Sequence, residues 1–393
     1  MERAARLVGQ PAVTPAAHAA LEGCPVSLAL IARQFAVEGR LVAVEPTGSG
    51  NVNETYLAIF RTTFDEHRII LQKINRSVFK RPEVIMENLR RITAHVHARL
   101  EREVEEADRI WQLPAIVRCR DGCDWFVDEE GQFWRALTLI DSARAYDVAR
   151  SAEHAYEAGC VLGQFHRLLS DFDLSQITHP LPGFHVTPLY LARYDETLRT
   201  SRAREMLCSS VEAQRLARFI EDRRNLVRCL QDPLEAGELQ LRMIHGDPKI
   251  NNILIDDYTA KGTAIIDLDT AGPGLIHYDV GDALRSLGNP AGEEVERLAE
   301  VDFDLELCES FCRGYLRFAG EFLTDADRAH LYDAVRLLAF ELGLRFFEDY
   351  LRGNEYFRVR FAEQNLRRAR VQFRLCEIVE ARERSIRSIF DRC

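Results

Sequence analysis

The sequence predicts an α+β protein of two lobes, a β-rich N-terminal lobe and a larger, mostly helical C-terminal lobe. Three observations carry this prediction. A chain of 393 residues is longer than one ordinary small core requires, which favours two domains. The hydrophobic pattern changes from strand-like alternation to helical periodicity near residue 141. Apolar residues at 47% and charged residues at 29% are the balance of a folded globular chain and not of a disordered one.

Residues 4 to 32 are alanine-rich and read as a loose arm followed by a short, peripheral helix around Val26 to Phe35, so that residues 1–39 stand apart from the lobes. From Arg40, LVAVEPTGSGNVNETYLAIF reads as a strand, a Gly/Asn turn and a second strand, and HRIILQKI, from His67 to Ile74, as a third. Together they form an antiparallel meander. Pro82 opens a helix with apolar positions at Val84, Ile85, Leu89, Ile92 and Val96, proline being suited to the first helical turn. Ala115 to Cys119 and Phe133 to Ile140 add two strands and complete an N-lobe over residues 40–144.

The C-lobe, residues 145–393, carries helical faces over His154 to Leu169, Leu189 to Met206, Val211 to Leu230, Glu294 to Phe318, Asp325 to Arg352 and Phe361 to Arg384. Three short apolar runs interrupt them: Leu241 to His245, Asn252 to Asp256 and Ala264 to Leu268. They predict a small β-cluster inside the helical lobe. The junction near residues 141 to 150 has no Gly/Ser linker of the kind that lets domains move freely.

Composition excludes several function classes. The net charge of −11 gives no general attraction for a phosphate backbone, so a nucleic-acid partner is not expected. No apolar run reaches the roughly 18 to 20 residues that a membrane helix needs, so no membrane partner is expected either. The string Leu21-Glu22-Gly23-Cys24 lacks the continuous apolar stretch that an export signal requires before it. Ten cysteines are scattered along the chain, and the close pairs Cys119/Cys123 and Cys308/Cys312 have no neighbours at zinc-ligand spacing. Reduced thiols in a cytoplasm are the expectation. Of 51 basic residues only Lys73, Lys80, Lys249 and Lys261 are lysines, which draws attention to each, because a compact ammonium and a planar guanidinium are not interchangeable at a phosphate.

The strongest motif is Met243-Ile244-His245-Gly246-Asp247-Pro248-Lys249-Ile250-Asn251-Asn252-Ile253-Leu254, followed by Ile265-Ile266-Asp267-Leu268-Asp269. Phosphoryl transfer needs a carboxylate to orient or deprotonate the attacking hydroxyl, and oxygen ligands to hold Mg²⁺ on nucleotide phosphates. Asp247 and Asn252 have the H-x-D-x-x-x-x-N spacing of a kinase catalytic loop, and Asp267 stands where the second metal ligand follows the next hairpin. Lys249 is placed to steady the γ-phosphate. A second string, Gly48-Ser49-Gly50-Asn51-Val52-Asn53-Glu54-Thr55, lies between two strands, where small residues let backbone N–H groups approach phosphates. Gly48, Gly50, Asn51, Asn53 and Thr55 are therefore candidate nucleotide contacts. The third strand should supply a cation paired to a Glu on the following helix. Lys73 with Glu87 is the favoured pair, with Gln72 or Arg76 as the alternative, because alternation puts Gln72 and Lys73 on opposite faces.

These strings, together with AIIDLDTAGPGLIHYDVGDALRS and ELGLRFFEDYLRGNEYF, resemble the N-acetylhexosamine 1-kinases of the aminoglycoside-phosphotransferase and choline-kinase superfamily, over about residues 40 to 380. The resemblance implies a two-lobed protein-kinase-like fold, the use of ATP and Mg²⁺, and phosphorylation of the anomeric hydroxyl of an N-acetylhexosamine. It makes Asp247 the catalytic base, Asn252 and Asp267 the metal ligands, and Asp269, Arg345 and Tyr356 candidates for a sugar or amino-sugar acceptor. Residues read alone leave Arg345 free to pair instead with Glu341 or Asp349 on its own helix. Pro248 departs from the threonine common in that family. The pair Asp279 and Asp282 reads as a brace for the catalytic loop. An aminoglycoside-like acceptor and a silent nucleotide-binding protein are the rival readings, and the oligomeric state and the choice between ATP and GTP stay open.

Overall fold

The computed structural model describes residues 26–48, 52–102 and 109–393. The chain divides into two compact units: the described residues through Asn75 with Ile116–Leu139, and Arg76–Ala115 with Ile140–Cys393.

The first unit holds helix α1 (Val26–Ala32) and strands β1 (Arg40–Pro46), β2 (Glu54–Arg61), β3 (Glu66–Ile74), β4 (Ile116–Val117), β5 (Phe126–Val127) and β6 (Phe133–Thr138). They form one antiparallel sheet in the order β1-β2-β3-β6-β4, with β5 also on β6. The expected meander is present, and strand alternation decides its core. Ala58, Phe60, Ile69, Leu71, Trp134 and Ala136 share one face and pack on Ala29, Ile31, Ala32 and Phe35. The helix beginning at Val26 is thus part of this core and not peripheral, because its apolar side has a sheet face to cover. Full burial of Phe35 alone contributes roughly 1.5–3 kcal/mol. The expected arm before Val26 lies outside the described residues. The strand expected over Ala115 to Cys119 shortens to β4, since the Cys119 N–H turns back to the Cys123 carbonyl.

The second unit holds α2 (Pro82–Leu100), β7 (Ala143–Arg144), α3 (Ala152–Leu168), α4 (Thr187–Thr197), α5 (Ser201–Ser209), α6 (Val211–Glu221), α7 (Gln231–Glu235), β8 (Arg242–Ile244), β9 (Ile253–Asp256), β10 (Gly262–Ile265), β11 (Gly272–Gly274), α8 (Ile276–Gly288), α9 (Leu305–Ala319), α10 (Asp325–Ala329), α11 (Leu331–Arg352), α12 (Gln364–Ala381) and α13 (Glu383–Arg392). The three expected short strands are β8, β9 and β10. They do not form one sheet: β9 pairs with β10 and β7, and β8 with β11.

Several long expected helices are broken by capping side chains, a local signal that apolar periodicity ignores. The Leu189 to Met206 stretch divides at Thr200, whose hydroxyl accepts the Ala203 N–H and starts α5. The helix expected from Glu294 begins only at Leu305, where the Asp304 carboxylate accepts the N–H groups of Glu306 and Leu307. Helices α3 and α9 pack closely because glycines line their contact: a Cβ on Gly159 would stand 2.1 Å from the Phe311 carbonyl oxygen, and one on Gly314 2.0 Å from that of Tyr156. Among the described residues no helix is long and apolar enough to cross a membrane.

Candidate active site

The loop between β8 and β9 is held by hydrogen bonds to its backbone. The Asp279 carboxylate, buried in the first turn of α8, accepts the His245 N–H at 2.6 Å, the Gly246 N–H at 2.8 Å and Nε2–H of His166 at 2.9 Å. Burial alone raises the Asp279 pKa, but the hydrogen bonds and charge from the histidine side more than reverse this and keep it below the ordinary carboxylate value. This carboxylate is the brace expected from the sequence, whereas Asp282 pairs with Arg285 at 2.8 Å. His245 donates Nε2–H to the Ile266 carbonyl at 2.9 Å and accepts the Asp247 N–H on Nδ1 at 3.2 Å. Its ring is therefore neutral, and burial pushes its pKa below the usual histidine value. Gly246 has φ +86° and would bring a Cβ within 2.9 Å of the Thr270 carbonyl oxygen, so glycine is required there.

The loop delivers Asp247, part-exposed, with its Oδ2 2.9 Å from Lys249 Nζ. Burial lowers the Lys249 pKa, but the Asp247 charge, with Glu293 and Asp282 behind it, leaves it raised. Asn252 donates Nδ2–H to the Asp247 carbonyl at 2.8 Å, and its own carbonyl accepts the Ile266 N–H at 2.8 Å. With Ile253 paired to Ile265, the hairpin returns the chain beside Asn252, and Asp267 follows, exposed and left-handed at φ +67°. The short helical turn Leu268–Thr270 comes next, with Asp269 buried in it and the Thr270 hydroxyl donating to the His245 carbonyl at 2.9 Å. Helix α2 lies against this turn. Among the described residues no group of three or more His, Cys, Asp or Glu side chains is arranged for a metal. Asn252 and Asp267 supply two oxygen donors, the kind of partial set that Mg²⁺ takes when phosphates and water complete its octahedron.

Of the residues expected from the sequence to meet an acceptor, Arg345 of α11 is not paired on its own helix. Glu341 is taken by His185 and Thr187, and Asp349 by the N–H groups of Tyr356 and Phe357 and by Asn365. The guanidinium carbon instead lies 5.2 Å from the ring centre of Phe184, 5.1 Å from Tyr190, 6.0 Å from Tyr356 and 5.6 Å from Phe357. Burial lowers its pKa, but Tyr190, Tyr356, Glu341 and Asp247 raise it above the ordinary value. Tyr356 is half exposed and packs edge-on against Phe357 at 4.9 Å.

In the first unit, Gly48 has φ +74°, and the Asn53 side chain accepts the Asn75 N–H at 3.0 Å. Gly50 and Asn51 lie outside the described residues. The Lys73 ammonium pairs with Glu54, directly across the ladder, on the face that carries the α1 core. Within the first unit Lys73 is thus met by this cross-strand neighbour, while Glu87 is exposed on α2 of the second unit. Gln72 is on the opposite face, donating to Thr55 Oγ1 at 3.1 Å and accepting from Arg135 Nε at 2.9 Å. Arg135, 1% exposed, was not singled out from the sequence, because a basic residue within an apolar strand has no periodic signature. His166, His185 and Glu341 were missed for a related reason: their partners are distant in the chain. The left-handed backbone of His185, φ +60°, also has no sequence signal.

A β-sheet N-terminal region, a helical C-terminal region and an Asp-x-Lys-x-x-Asn loop followed by a hairpin and Asp define a small-molecule phosphotransferase of kinase-like fold. The model of the APH phosphotransferase enzyme family matches residues 49–319, and the chain belongs to that family. Among solved structures it is similar to a microcompartment-associated aminopropanol kinase at 18% identity and a TM-score of 0.56, over 92% of this chain and 98% of that one. It is also similar to an aminoglycoside phosphotransferase from Alicyclobacillus acidocaldarius subsp. acidocaldarius DSM 446, at 14% identity and 0.54 over 98% of each chain. A choline kinase from Cryptosporidium parvum Iowa II matches at 14% and 0.54, over 87% of this chain and 90% of that one. At these identities the likeness is one of fold.

Proposed function

We propose that the protein transfers the γ-phosphate of ATP to a hydroxyl of an N-acetylhexosamine or closely related neutral sugar, at the anomeric position. The catalytic loop supports the transfer: Asp247 is held by its backbone on both sides while its carboxylate is left at the surface beside Lys249. Asp247 orients the acceptor hydroxyl and takes its proton, and the Lys249 ammonium offsets negative charge on the phosphoryl group in flight. Asn252 and Asp267 would hold Mg²⁺, whose part when bound is to neutralise charge on the nucleotide phosphates.

The acceptor reading rests on Arg345. A guanidinium among four aromatic rings, with no hydrogen bond or ion pair to another described residue and within electrostatic reach of Asp247, repels an ammonium and favours hydroxyl and carbonyl oxygens. Choline, aminopropanol and aminoglycosides are cations at neutral pH, so the same observation disfavours them. The deciding experiment incubates MgATP with N-acetylglucosamine, N-acetylgalactosamine, their methyl glycosides, choline, aminopropanol and an aminoglycoside, with products read by mass spectrometry. Phosphorylation of the free acetylated sugars and none of the methyl glycosides is expected. Rapid turnover of a methyl glycoside removes the anomeric assignment, and a preference for the amines removes the sugar.

A further inference from the structure

His185 and Glu341 connect the helix that carries Arg345 to the catalytic loop. His185 Nε2 is 2.8 Å from the Gly246 carbonyl oxygen, and Nδ1 is 2.8 Å from Glu341 Oε1. The second Glu341 oxygen accepts the Thr187 hydroxyl at 2.6 Å. All of these groups are buried. A carbonyl oxygen only accepts, so Nε2 bears a proton. A carboxylate likewise only accepts, so its place beside Nδ1 calls for a second proton there. Acceptors at both ring nitrogens define an imidazolium–carboxylate pair.

We propose that this pair is a proton-dependent strut that positions Asp247 through the Gly246–Asp247 peptide, a proposal that rests on Asp247 being the base. Both polar groups of that peptide are tied: its carbonyl to His185 and its N–H to His245 Nδ1. Its plane sets the direction in which the Asp247 side chain leaves the backbone, and small errors in that direction are costly in phosphoryl transfer.

The groups facing the strut are Glu341 and Arg345 on α11, Asp282 and the stacked Tyr278 ring on α8, Tyr190 on α4, His179 in the preceding segment, and Asp247. Burial disfavours the imidazolium, but the Glu341 charge and the hydrogen bonds to Glu341 and Gly246 outweigh it. As pH rises the proton is lost, and a neutral ring presents a lone pair to one of two acceptors. Either Gly246 or Glu341 then loses its partner.

The test compares Glu341→Gln with Glu341→Ala. The Gln amide donates to Nδ1 and its carbonyl still accepts from Thr187, so a neutral ring keeps Nε2–H on Gly246 at every alkaline pH. With MgATP and N-acetylglucosamine, ADP release by the unmodified protein is expected to decline on the alkaline side. E341Q should lose that decline and exceed the kcat of E341A by about 10-fold at pH 7, with KM for ATP unmoved. Nitrogen NMR of the ¹⁵N-histidine protein, with His185→Gln for assignment, should show both His185 ring nitrogens protonated at pH 7 in the unmodified protein and one in E341Q. A deprotonated ring nitrogen in the unmodified protein overturns the strut. So do identical alkaline limbs in E341Q and the unmodified protein. Absence of sugar turnover overturns the acceptor reading alone: ADP release to water then carries the pH profile, and the NMR result stands independently.

Discussion

Replacing Asp247 by Asn keeps the size of the side chain and the backbone bonds to His245 and Asn252, while removing the proton acceptor. The variant should lose about 10²- to 10⁴-fold in kcat, the usual worth of a positioned acid or base, and should still bind nucleotide by equilibrium titration. Near-normal turnover would take Asp247 out of the mechanism. At this scale the candidate site was legible where its residues are consecutive: Asp247, Lys249 and Asn252 lie within six positions, so spacing alone brings them together. It was illegible where the partner is remote. Strand alternation placed Gln72 and Lys73 on opposite faces but could not say which face carried α1, and the ion pair to Glu54 was decided by cross-strand register.

Elements enter function through their packing. Helix α3 carries His166, which reaches Asp279 and thus the catalytic loop, and α3 is held on α9 by close backbone approach at Gly159, Gly163 and Gly314. A methyl at Gly314 would meet no flexible side chain at close range, but the backbone of Tyr156 and Cys160. Gly314→Ala should therefore destabilise the protein by about 1 to 3 kcal/mol, despite the better helix propensity of alanine. A lowered melting temperature is the expected readout, and an unchanged or raised one would show that the two helices can move apart. Helix existence was mostly legible from apolar spacing. Helix ends were not, since Thr200 and Asp304 act through single hydrogen bonds that a periodic pattern averages away.

For the whole molecule, buried histidines set the pH dependence of stability. His277 is fully buried and donates Nε2–H to the Asp327 carbonyl at 2.9 Å. Burial pushes its pKa down to about 4, and burial likewise takes His179 to about 4. The unfolded chain takes up these protons first, at its ordinary value of about 6.5, so stability falls as pH drops below that value. His277 alone should account for about 1.4 kcal/mol per pH unit over the interval. His185 has the opposite sign, because its folded pKa is raised: its contribution is complete below the unfolded value and is lost as pH rises through the folded one. Denaturant midpoints should decline from pH 6.5 to 4.5, and a flat profile would contradict the burial of these rings as neutral species.

The sequence by itself determined the fold class and the phosphotransferase chemistry, because a meander, a helix and a six-residue catalytic loop are specified by short-range spacing that any folded form must respect. Tertiary structure alone decided how that loop is held and what surrounds Arg345. His185 reaches Gly246 across 61 residues and Glu341 across 156, and by occupying Glu341 it leaves Arg345 without the direct ion pair that helical spacing had offered. Such side-chain pairings depend on which distant segments pack together, and local periodicity carries no record of that choice.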